Sequence, residues 1–226
     1  MKPAARSFIV ATCVTATMGL MAAPAHAATP GQLDKFFSND GKQTTFSRGG
    51  TGYAVAIDDI RHVVQCFADA ARRAVEAGCD FVGIHGAHGY LISQFFSPYA
   101  NKRDDEYGGD LQRRMRFPLE IVAAVRNAIG RDVPILYRLS GDEHQPEGGI
   151  TLPDVCALAP RLEAAGVDLI DVSAGMYETN WWITQPMEMP QGVLSTSAKP
   201  VRGAVGIPVS VSGRITDPSV AEHVIE

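Results

Sequence analysis

Ala77-Gly78-Cys79-Asp80-Phe81-Val82-Gly83-Ile84-His85 is a segment in which a helix gives way to a strand. Before it, apolar residues recur at spacings of three and four over positions 60–75, which predicts an amphipathic helix that Asp58 or Asp59 can cap. The glycine at 78 ends this helix, and the apolar run that follows predicts a short strand with His85 at its carboxyl end. Parallel α/β folds bind their ligands at that end of the strands.

The same order of elements recurs further along the chain. Helices are predicted over about 111–128 and 152–165, strands over 135–140, 169–173 and 209–213, and a further helix start at Asp217-Pro218. The segments 76–82 and 164–170 share one helix-stop-strand signature, so the chain repeats an α-turn-β module. Such modules predict a parallel sheet with right-handed crossovers, and the pattern alone leaves a closed barrel and an open sheet as alternatives.

Two imidazoles and a phenol follow the first predicted strand within six positions, as His85, His88 and Tyr90. Because the backbone leaves extended geometry there, the three side chains can converge, which favours a reaction centre. A metal pair and a packed strand histidine are the alternatives for the two imidazoles, although two nitrogen ligands alone make a weak zinc site. A tyrosine after a glycine is in general more often a packing residue than a catalytic one.

Arg138 stands in the middle of the apolar run Ile135-Leu136-Tyr137-Arg138-Leu139. A buried cation must find an anion, because its desolvation is otherwise costly. The anion is either a bound ligand or a protein carboxylate such as Asp171 on the next predicted strand.

An ordered series of motifs then surrounds this cluster. It comprises the strand, His-x-x-His-x-Tyr, Ser97-Pro98, Asn101-Lys102-Arg103, Tyr107-Gly108-Gly109 and Arg114-Met115-Arg116-Phe117. Over this series and on to the C-terminus the chain resembles the Old Yellow Enzyme family of FMN-dependent ene-reductases, also called NADH:flavin oxidoreductases. The resemblance implies a TIM (β/α)₈ barrel that binds FMN, takes hydride from NAD(P)H and reduces the C=C bond of an α,β-unsaturated carbonyl compound.

The resemblance also implies a role for each candidate residue. His85 and His88 would bind the carbonyl oxygen of a small enone or enal substrate, and Tyr90 would protonate its α carbon. Arg138 would lie beside the flavin ring, and the turn at Gly213 and Arg214 would meet the FMN phosphate. Arg103, Tyr107, Gly108, Gly109 and Arg114 resemble a signature that we interpret as structural, although Asp110, Gln112 and Arg113 depart from the family's usual residues.

The number of predicted strands is smaller than the family fold requires. Such barrels take about eight strands and about 250 residues, whereas the sequence offers four strand candidates, which the resemblance identifies as the fourth to the seventh. We therefore expect a partial, apparently truncated FMN-binding barrel over 57–226, with open edges that a second copy of the chain could cover. The alternatives are a non-catalytic remnant that does not retain FMN and a different barrel enzyme that uses the histidine pair on a metal.

The N-terminal residues differ in kind from the rest. Lys2 and Arg6 precede a charge-free apolar stretch that ends in small residues, so positions 1–27 resemble a signal peptide, with an in-frame upstream extension or a buried N-terminal helix as the alternatives. The Gly-, Ser- and Thr-rich positions 28–56 are predicted to be an irregular linker. This leader indicates export to the periplasm, with no membrane insertion after its removal, whereas the family resemblance indicates the cytoplasm.

Composition excludes some classes of function. The chain is 46% hydrophobic and has a net charge of −5, with arginines spread among acidic residues, so it offers no basic stripe for nucleic acid. The four cysteines have neither metal nor redox spacing, which argues against an iron-sulfur cluster. We predict no metal centre.

Overall fold

The computed structural model describes residues 57–225. The predicted signal peptide over 1–27 and the predicted linker over 28–56 lie outside the described residues. The proposed division of the chain into three segments therefore stays a prediction.

Helices and strands alternate along the described chain. In order they are α1 (Ile57–Glu76), β1 (Val82–Gly86), α2 (Leu91–Phe96), α3 (Leu111–Arg114), α4 (Arg116–Ile129), β2 (Ile135–Ser140), α5 (Leu152–Ala165), β3 (Leu169–Ser173), a 3₁₀ helix (Tyr177–Thr179), α6 (Asn180–Ile183), α7 (Ser195–Ala204), β4 (Val209–Val211) and α8 (Pro218–Ile225). No helix among these residues is long and apolar enough to cross a membrane.

The four strands form one parallel sheet in the order β1-β2-β3-β4, so each strand pairs with the next strand of the chain. This arrangement confirms the predicted parallel α/β fold. Alternate residues of each strand point to opposite faces, and Ile84, Tyr137 and Ile170 occupy one register row and are buried. They join the main hydrophobic core together with the buried apolar residues of α4 and α5. The next register row carries polar residues, and these form the site described below.

Most predicted boundaries agree with the structure. β2, α5 and β3 have the predicted bounds, and α8 begins at the predicted Pro218. Asp58 and Asp59 lie within the first turn of α1 rather than ahead of it, so the prediction that one of them caps the helix is wrong. Both still favour that helix end, since acidic side chains stabilise the positive end of the helix dipole.

The predicted helix over 111–128 is wrong in one respect, because the structure divides it into α3 and α4 at Met115. Pro118 has no N–H, so it cannot donate to the carbonyl four residues earlier, and the helix has to restart within the turn before it. Asp110, which departs from the usual family residue, accepts a hydrogen bond from the Arg113 N–H at 3.0 Å and caps α3.

The loop between α2 and α3 is held by side chains that bind backbone carbonyls. Asn101 Nδ2 donates to the carbonyls of Phe95 at 2.6 Å and Tyr107 at 2.7 Å. Arg114 Nε donates to the carbonyl of Phe96 at 3.0 Å. These contacts support the structural interpretation of the motif series that follows the histidine pair.

Candidate active site

A row of polar residues crosses the sheet near the carboxyl ends of its strands. His85 pairs in register with Arg138, Arg138 with Asp171, and Asp171 with Ser210. Residues in one register row of a sheet share a face, so the four side chains lie on the same side. Ser210 Oγ donates to Asp171 Oδ1 at 2.9 Å, which anchors the carboxylate.

A second row of hydroxyls lies two residues further along three of the strands. Ser140 ends β2, Ser173 ends β3, and Ser212 directly follows β4. These serines were not predicted as site residues. A sequence pattern could have identified them, because a polar residue, one apolar residue and a serine recur in that order at 138–140, 171–173 and 210–212.

The structure brings His85, His88 and Tyr90 together where the chain leaves β1. The His85 ring centroid lies 5.0 Å from that of His88 and 5.1 Å from that of Tyr90. The convergence depends on a sharp turn, in which His88 has φ 64° and Gly89 has φ 76° before α2 begins at Leu91. Left-handed backbone is unusual for a histidine, so the surrounding contacts must hold it.

Two serines hold His88 in this conformation. Its backbone N–H donates to Ser140 Oγ at 3.0 Å, and Ser140 Oγ in turn donates to the carbonyl of Gly175 at 2.8 Å. Its ring nitrogen Nε2 lies 2.7 Å from Ser173 Oγ. His88 is therefore fixed at both its backbone and its ring.

Both imidazoles are neutral at physiological pH. Burial, and after it the positive charge of Arg138, lowers the pKa of His85 to about 4. Burial, Arg138 and then His85 lower the pKa of His88 to about 3. A neutral imidazole has one N–H donor and one acceptor nitrogen, so each ring can offer one hydrogen bond to a ligand oxygen.

Arg138 contacts three groups on the neighbouring strands. Its Nε lies 3.3 Å from Asp171 Oδ2, and its Nη2 donates to Ser173 Oγ at 3.5 Å and to Ser212 Oγ at 3.4 Å. The ion pair with Asp171, considered from the sequence as one alternative, is thus present. It does not use all of the guanidinium's donors, because Nε is buried without an aligned hydrogen-bond acceptor among the described residues.

Tyr90 borders a cleft that has three aromatic residues in its walls. The cleft has a volume of about 520 Å³ and is lined by Tyr90, Tyr177, Asn180, Trp181, Ile183, Thr184 and Pro186. The Tyr177 ring meets the Tyr90 ring edge-on with centroids 5.5 Å apart. A side-chain hydrogen bond with Tyr90, with burial as the second cause, raises the pKa of Tyr177 to about 12.

The two tryptophans after β3 have different environments. Trp181 is exposed and lines the cleft, whereas Trp182 stacks on the His144 ring with centroids 3.6 Å apart. The sequence left a pocket wall and a cap over the core as alternatives for this segment. Trp181 and Tyr177 belong to a pocket wall.

Gly213 and Arg214 form a turn directly after Ser212, which contacts Arg138. Gly213 has φ 143°, and a Cβ at this position would collide with Gln185 Oε1. Arg214 has φ 48° and donates from Nη1 to the carbonyl of Pro186 at 3.1 Å, while its Nε is buried without a partner among residues 57–225. The strand before this turn is short, since β4 ends at Val211 and not at the predicted residue 213.

The sequence-predicted residues therefore lie at one edge of one sheet. His85, His88 and Tyr90 form a single cluster, Arg138 lies beside His85 in the register, and Gly213 with Arg214 ends the fourth strand. Within residues 57–225, no three His, Cys, Asp or Glu side chains are arranged to hold a metal ion.

Comparison with known sequences gives one family for this chain. The sequence profile of the NADH:flavin oxidoreductase / NADH oxidase family matches residues 24–226. A protein named NADH oxidase from Thermoanaerobacter brockii is 46% identical over 171 residues, which are 76% of this chain and 26% of that protein. A cinnamate reductase from Clostridium sporogenes is 31% identical over 194 residues, covering 80% of this chain and 29% of the relative. The chain thus spans less than a third of the length of either relative.

Solved structures agree with this assignment. A 2-naphthoyl-CoA reductase in complex with 2-naphthoyl-CoA is similar with a TM-score of 0.75 and 29% identity, over 80% of this chain and 28% of that one. An Old Yellow Enzyme homologue from Zymomonas mobilis shares the fold with a TM-score of 0.62 at 23% identity, over 81% of this chain and 52% of that one. The predicted relationship to Old Yellow Enzyme is thereby confirmed. The chain belongs to the NADH:flavin oxidoreductase / NADH oxidase family.

Proposed function

We propose that this chain is the catalytic part of an FMN-dependent oxidoreductase that passes hydride from NAD(P)H, through the flavin, to the C=C bond of an α,β-unsaturated carbonyl compound. The observation that carries the proposal is the contact of His85 with both His88 and Tyr90, at 5.0 and 5.1 Å between ring centroids. This cluster brings two neutral hydrogen-bond donors, His85 and His88, and a phenol, Tyr90, together at the edge of the sheet that a ligand can reach.

FMN with NAD(P)H as reductant is the cofactor pair of the family. The residues present fit this cofactor, because His85 Nδ1 is a buried polar atom without a hydrogen-bond partner among the described residues, and Arg138 Nε, although it lies 3.3 Å from Asp171 Oδ2, has no aligned hydrogen-bond acceptor there. Arg138 would lie beside the isoalloxazine ring, where its charge stabilises the reduced, anionic form. The backbone turn at Gly213 and Arg214 would meet the phosphate.

Bound FMN supplies the hydride that the side chains of the protein cannot supply. His85 and His88 bind the carbonyl oxygen of the enone or enal substrate with one N–H each. Negative charge develops on that oxygen as hydride reaches the β carbon, and fixed donors stabilise this charge most strongly where they are held rigidly and away from water. Burial of both histidines, which keeps them neutral, meets these conditions.

Tyr90 donates the proton that completes the reaction at the α carbon. Its side chain is 37% exposed and faces the cleft, so a substrate can reach it. A phenol is a suitable general acid for this step because the enolate that it protonates is a stronger base. Tyr177 and Trp181 form the apolar wall against which the rest of the substrate packs.

The names of two relatives support a conjugated substrate. One is called a cinnamate reductase and another was solved with 2-naphthoyl-CoA. Cinnamate has a C=C bond conjugated to a carboxylate, and 2-naphthoyl-CoA has an aromatic ring conjugated to a thioester. An aromatic cleft wall beside Tyr90 suits such planar substrates.

The first test is FMN binding by the full 226-residue chain. We expect added FMN to bind, with quenching of its fluorescence and with visible flavin absorbance in the protein fraction after gel filtration. We also expect Arg138→Met to weaken binding, whereas Arg113→Met, which removes an exposed arginine on α3, should leave it unchanged. A colourless protein that takes up no FMN would contradict the proposal and leave the non-catalytic alternative.

The second test is turnover of the FMN-loaded chain. With NADPH or NADH in the absence of oxygen, we expect the flavin to be bleached and then to regain its colour when a cinnamate ester or 2-cyclohexenone is added. Saturated product should accumulate. Bleaching without recovery would show an NAD(P)H oxidoreductase that does not reduce C=C bonds.

A further inference from the structure

The contact between His88 and Ser173 indicates which nitrogen of the His88 ring carries the hydrogen. His88 Nε2 and Ser173 Oγ are 2.7 Å apart, and both residues are buried, with exposures of 7% and 1%. The two residues are 85 positions apart in sequence. Either atom could donate in this pair, because a neutral imidazole has one N–H and one acceptor nitrogen, and a hydroxyl has one hydrogen and two acceptor lone pairs.

Arg138 determines which atom donates. Its Nη2 lies 3.5 Å from Ser173 Oγ, and a guanidinium can only donate, so the serine oxygen is the acceptor in that contact. The serine hydrogen then needs an acceptor of its own. Among residues 57–225, the only other group within hydrogen-bond distance of Ser173 Oγ is His88 Nε2, so the hydroxyl donates to that nitrogen.

The protonation of the other ring nitrogen of His88, Nδ1, follows from this assignment. His88 is neutral, because burial and the charges of Arg138 and His85 hold its pKa near 3. A neutral ring carries a single hydrogen, and a nitrogen that accepts from a hydroxyl does not carry it. The hydrogen therefore lies on Nδ1, which has no hydrogen-bond partner among the described residues.

We propose that Ser173 is a positioning residue that fixes His88 as its Nδ1–H tautomer, with Arg138 orienting the serine hydroxyl. The inference rests on the proposed function for its consequence: the free Nδ1–H is the donor that His88 offers to the substrate oxygen. The opposite tautomer would direct a lone pair at the charge that develops on that oxygen. Ser173 thus determines whether His88 stabilises or opposes the transition state.

The direct test is nuclear magnetic resonance of the full chain labelled with ¹⁵N-histidine, at neutral pH and without added FMN. Two-bond ¹H–¹⁵N correlations distinguish protonated from unprotonated ring nitrogens. We expect His88 to have an unprotonated Nε2 and a protonated Nδ1. In Ser173→Ala we expect the tautomer population of His88 to move toward the Nε2–H form, which predominates for imidazole side chains in water. In Ser173→Thr, which keeps the hydroxyl, we expect His88 to have the Nδ1–H form again.

Ser140→Ala is the matched control. Ser140 accepts from the His88 backbone N–H and does not contact its ring, so this variant disturbs the same residue without removing the ring's partner. We expect its tautomer to stay as in the wild type. A wild-type His88 with protonated Nε2, or a tautomer in Ser173→Ala that matches the wild type, overturns the proposal.

The enzymatic consequence is measured separately on the FMN-loaded chain. We expect Ser173→Ala to lower kcat for enone reduction by about tenfold or more, within the range of losses for a single misdirected oxyanion donor. Ser173→Thr should recover most of the rate. If the tautomer behaves as expected but no variant, including the wild type, reduces enones, the proposed function fails while the assignment of Ser173 stands.

Discussion

Asp171 neutralises only part of Arg138: its carboxylate Oδ2 lies 3.3 Å from the guanidinium Nε across the β2–β3 register, yet the two histidines still experience the positive charge. Asp171 is itself engaged by Ser210, which donates to its other oxygen at 2.9 Å. The sheet therefore carries a cation that is anchored on one side and open on the other. Such an arrangement suits a ligand that becomes anionic during its reaction cycle.

This relationship predicts how the histidines titrate without Arg138. In Arg138→Met we expect the pKa values of His85 and His88 to rise from about 4 and about 3, because an unfavourable positive charge is removed. They should stay below 6.5, because burial is the larger cause and remains. Titration of the imidazole resonances in the chain without flavin checks this.

Arg113→Met is the control for that titration, because the Arg113 side chain is exposed on α3 and contacts neither histidine. Unchanged histidine pKa values in Arg138→Met would show that the charge of Arg138 does not lower them. Values that reach the ordinary 6.5 would show that burial is not the larger cause.

Tyr90→Phe should separate the two half-reactions of the FMN-loaded chain. The variant keeps the aromatic ring in the cleft and loses the phenolic hydroxyl, which carries the acidic proton and makes the hydrogen bond with Tyr177. We expect enone reduction to slow by about 10²–10⁴-fold, the usual contribution of a general acid. Reduction of the flavin by NAD(P)H needs no such proton and should stay within about twofold of the wild type. Stopped-flow absorbance measures both steps, and an equal loss in both would remove Tyr90 from its proposed role.

Much of the fold could be predicted because its signals are local. The signature around Gly166 repeats the one around Gly78, and both glycines have positive φ, of 110° and 92°, which ends a helix and starts the next strand. The bounds of β2 and β3 followed from the apolar runs alone. The short helices α2, α6 and α7 were not predicted, since four to ten residues show little periodicity and depend on tertiary packing.

The candidate site was predictable only in part, for a related reason. His85, His88 and Tyr90 are neighbours in sequence, so their spacing indicated their convergence. The contact of His88 with Ser173 and that of Arg138 with Ser212 span 85 and 74 positions and depend on strand register, which no local pattern specifies. The aromatic wall at Tyr177 likewise depends on how the loop after β3 folds back over Tyr90.

Glu143 should make the stability of the protein depend on pH. It is completely buried, and its Oε2 accepts from Ser97 Oγ at 2.5 Å and from the N–H of Ile150 at 2.8 Å, while Oε1 has no partner among the described residues. Burial is the main cause that raises the pKa of this carboxyl from 4.5 to about 7, and the charges of Glu178 and Asp142 add to it.

The sign of the effect follows from proton binding. Between pH 4.5 and about 7 the folded chain keeps a proton that the unfolded chain loses, so the free energy of unfolding falls as the pH rises through this window. Glu143→Gln cannot ionise and should remove that fall, so that at pH 8 the variant is more stable than the wild type by about 1–3 kcal/mol. Urea unfolding at pH 5 and pH 8 measures it. Glu147→Gln, an exposed change in the same loop, should retain the wild-type difference between the two pH values.

Arg126 should contribute to the free energy of unfolding without affecting the candidate active site, because it lies at the opposite end of the strands from the histidines. It is buried, and its guanidinium donates to the carbonyls of Gly130 at 2.6 Å, Val133 at 2.8 Å and Gly166 at 3.0 Å, besides pairing with Asp168. These bonds join the ends of α4 and α5 to the starts of β2 and β3. Arg126→Met removes the side-chain donor of these carbonyls and the positive partner of Asp168, whose carboxylate keeps the hydrogen bond from the Ile135 N–H at 2.7 Å.

We therefore expect Arg126→Met to lower the free energy of unfolding by about 2–4 kcal/mol, as measured in urea. Arg126→Lys should recover little, since an ammonium cannot reproduce the forked geometry. Below the unfolding transition, FMN binding and the His88 tautomer should match the wild type, because β1 and β2 keep their register at the other end. Arg131→Met, at a neighbouring exposed arginine, should cost less than about 0.5 kcal/mol, and an equal loss in the two variants would show that the carbonyl contacts of Arg126 contribute no net stability.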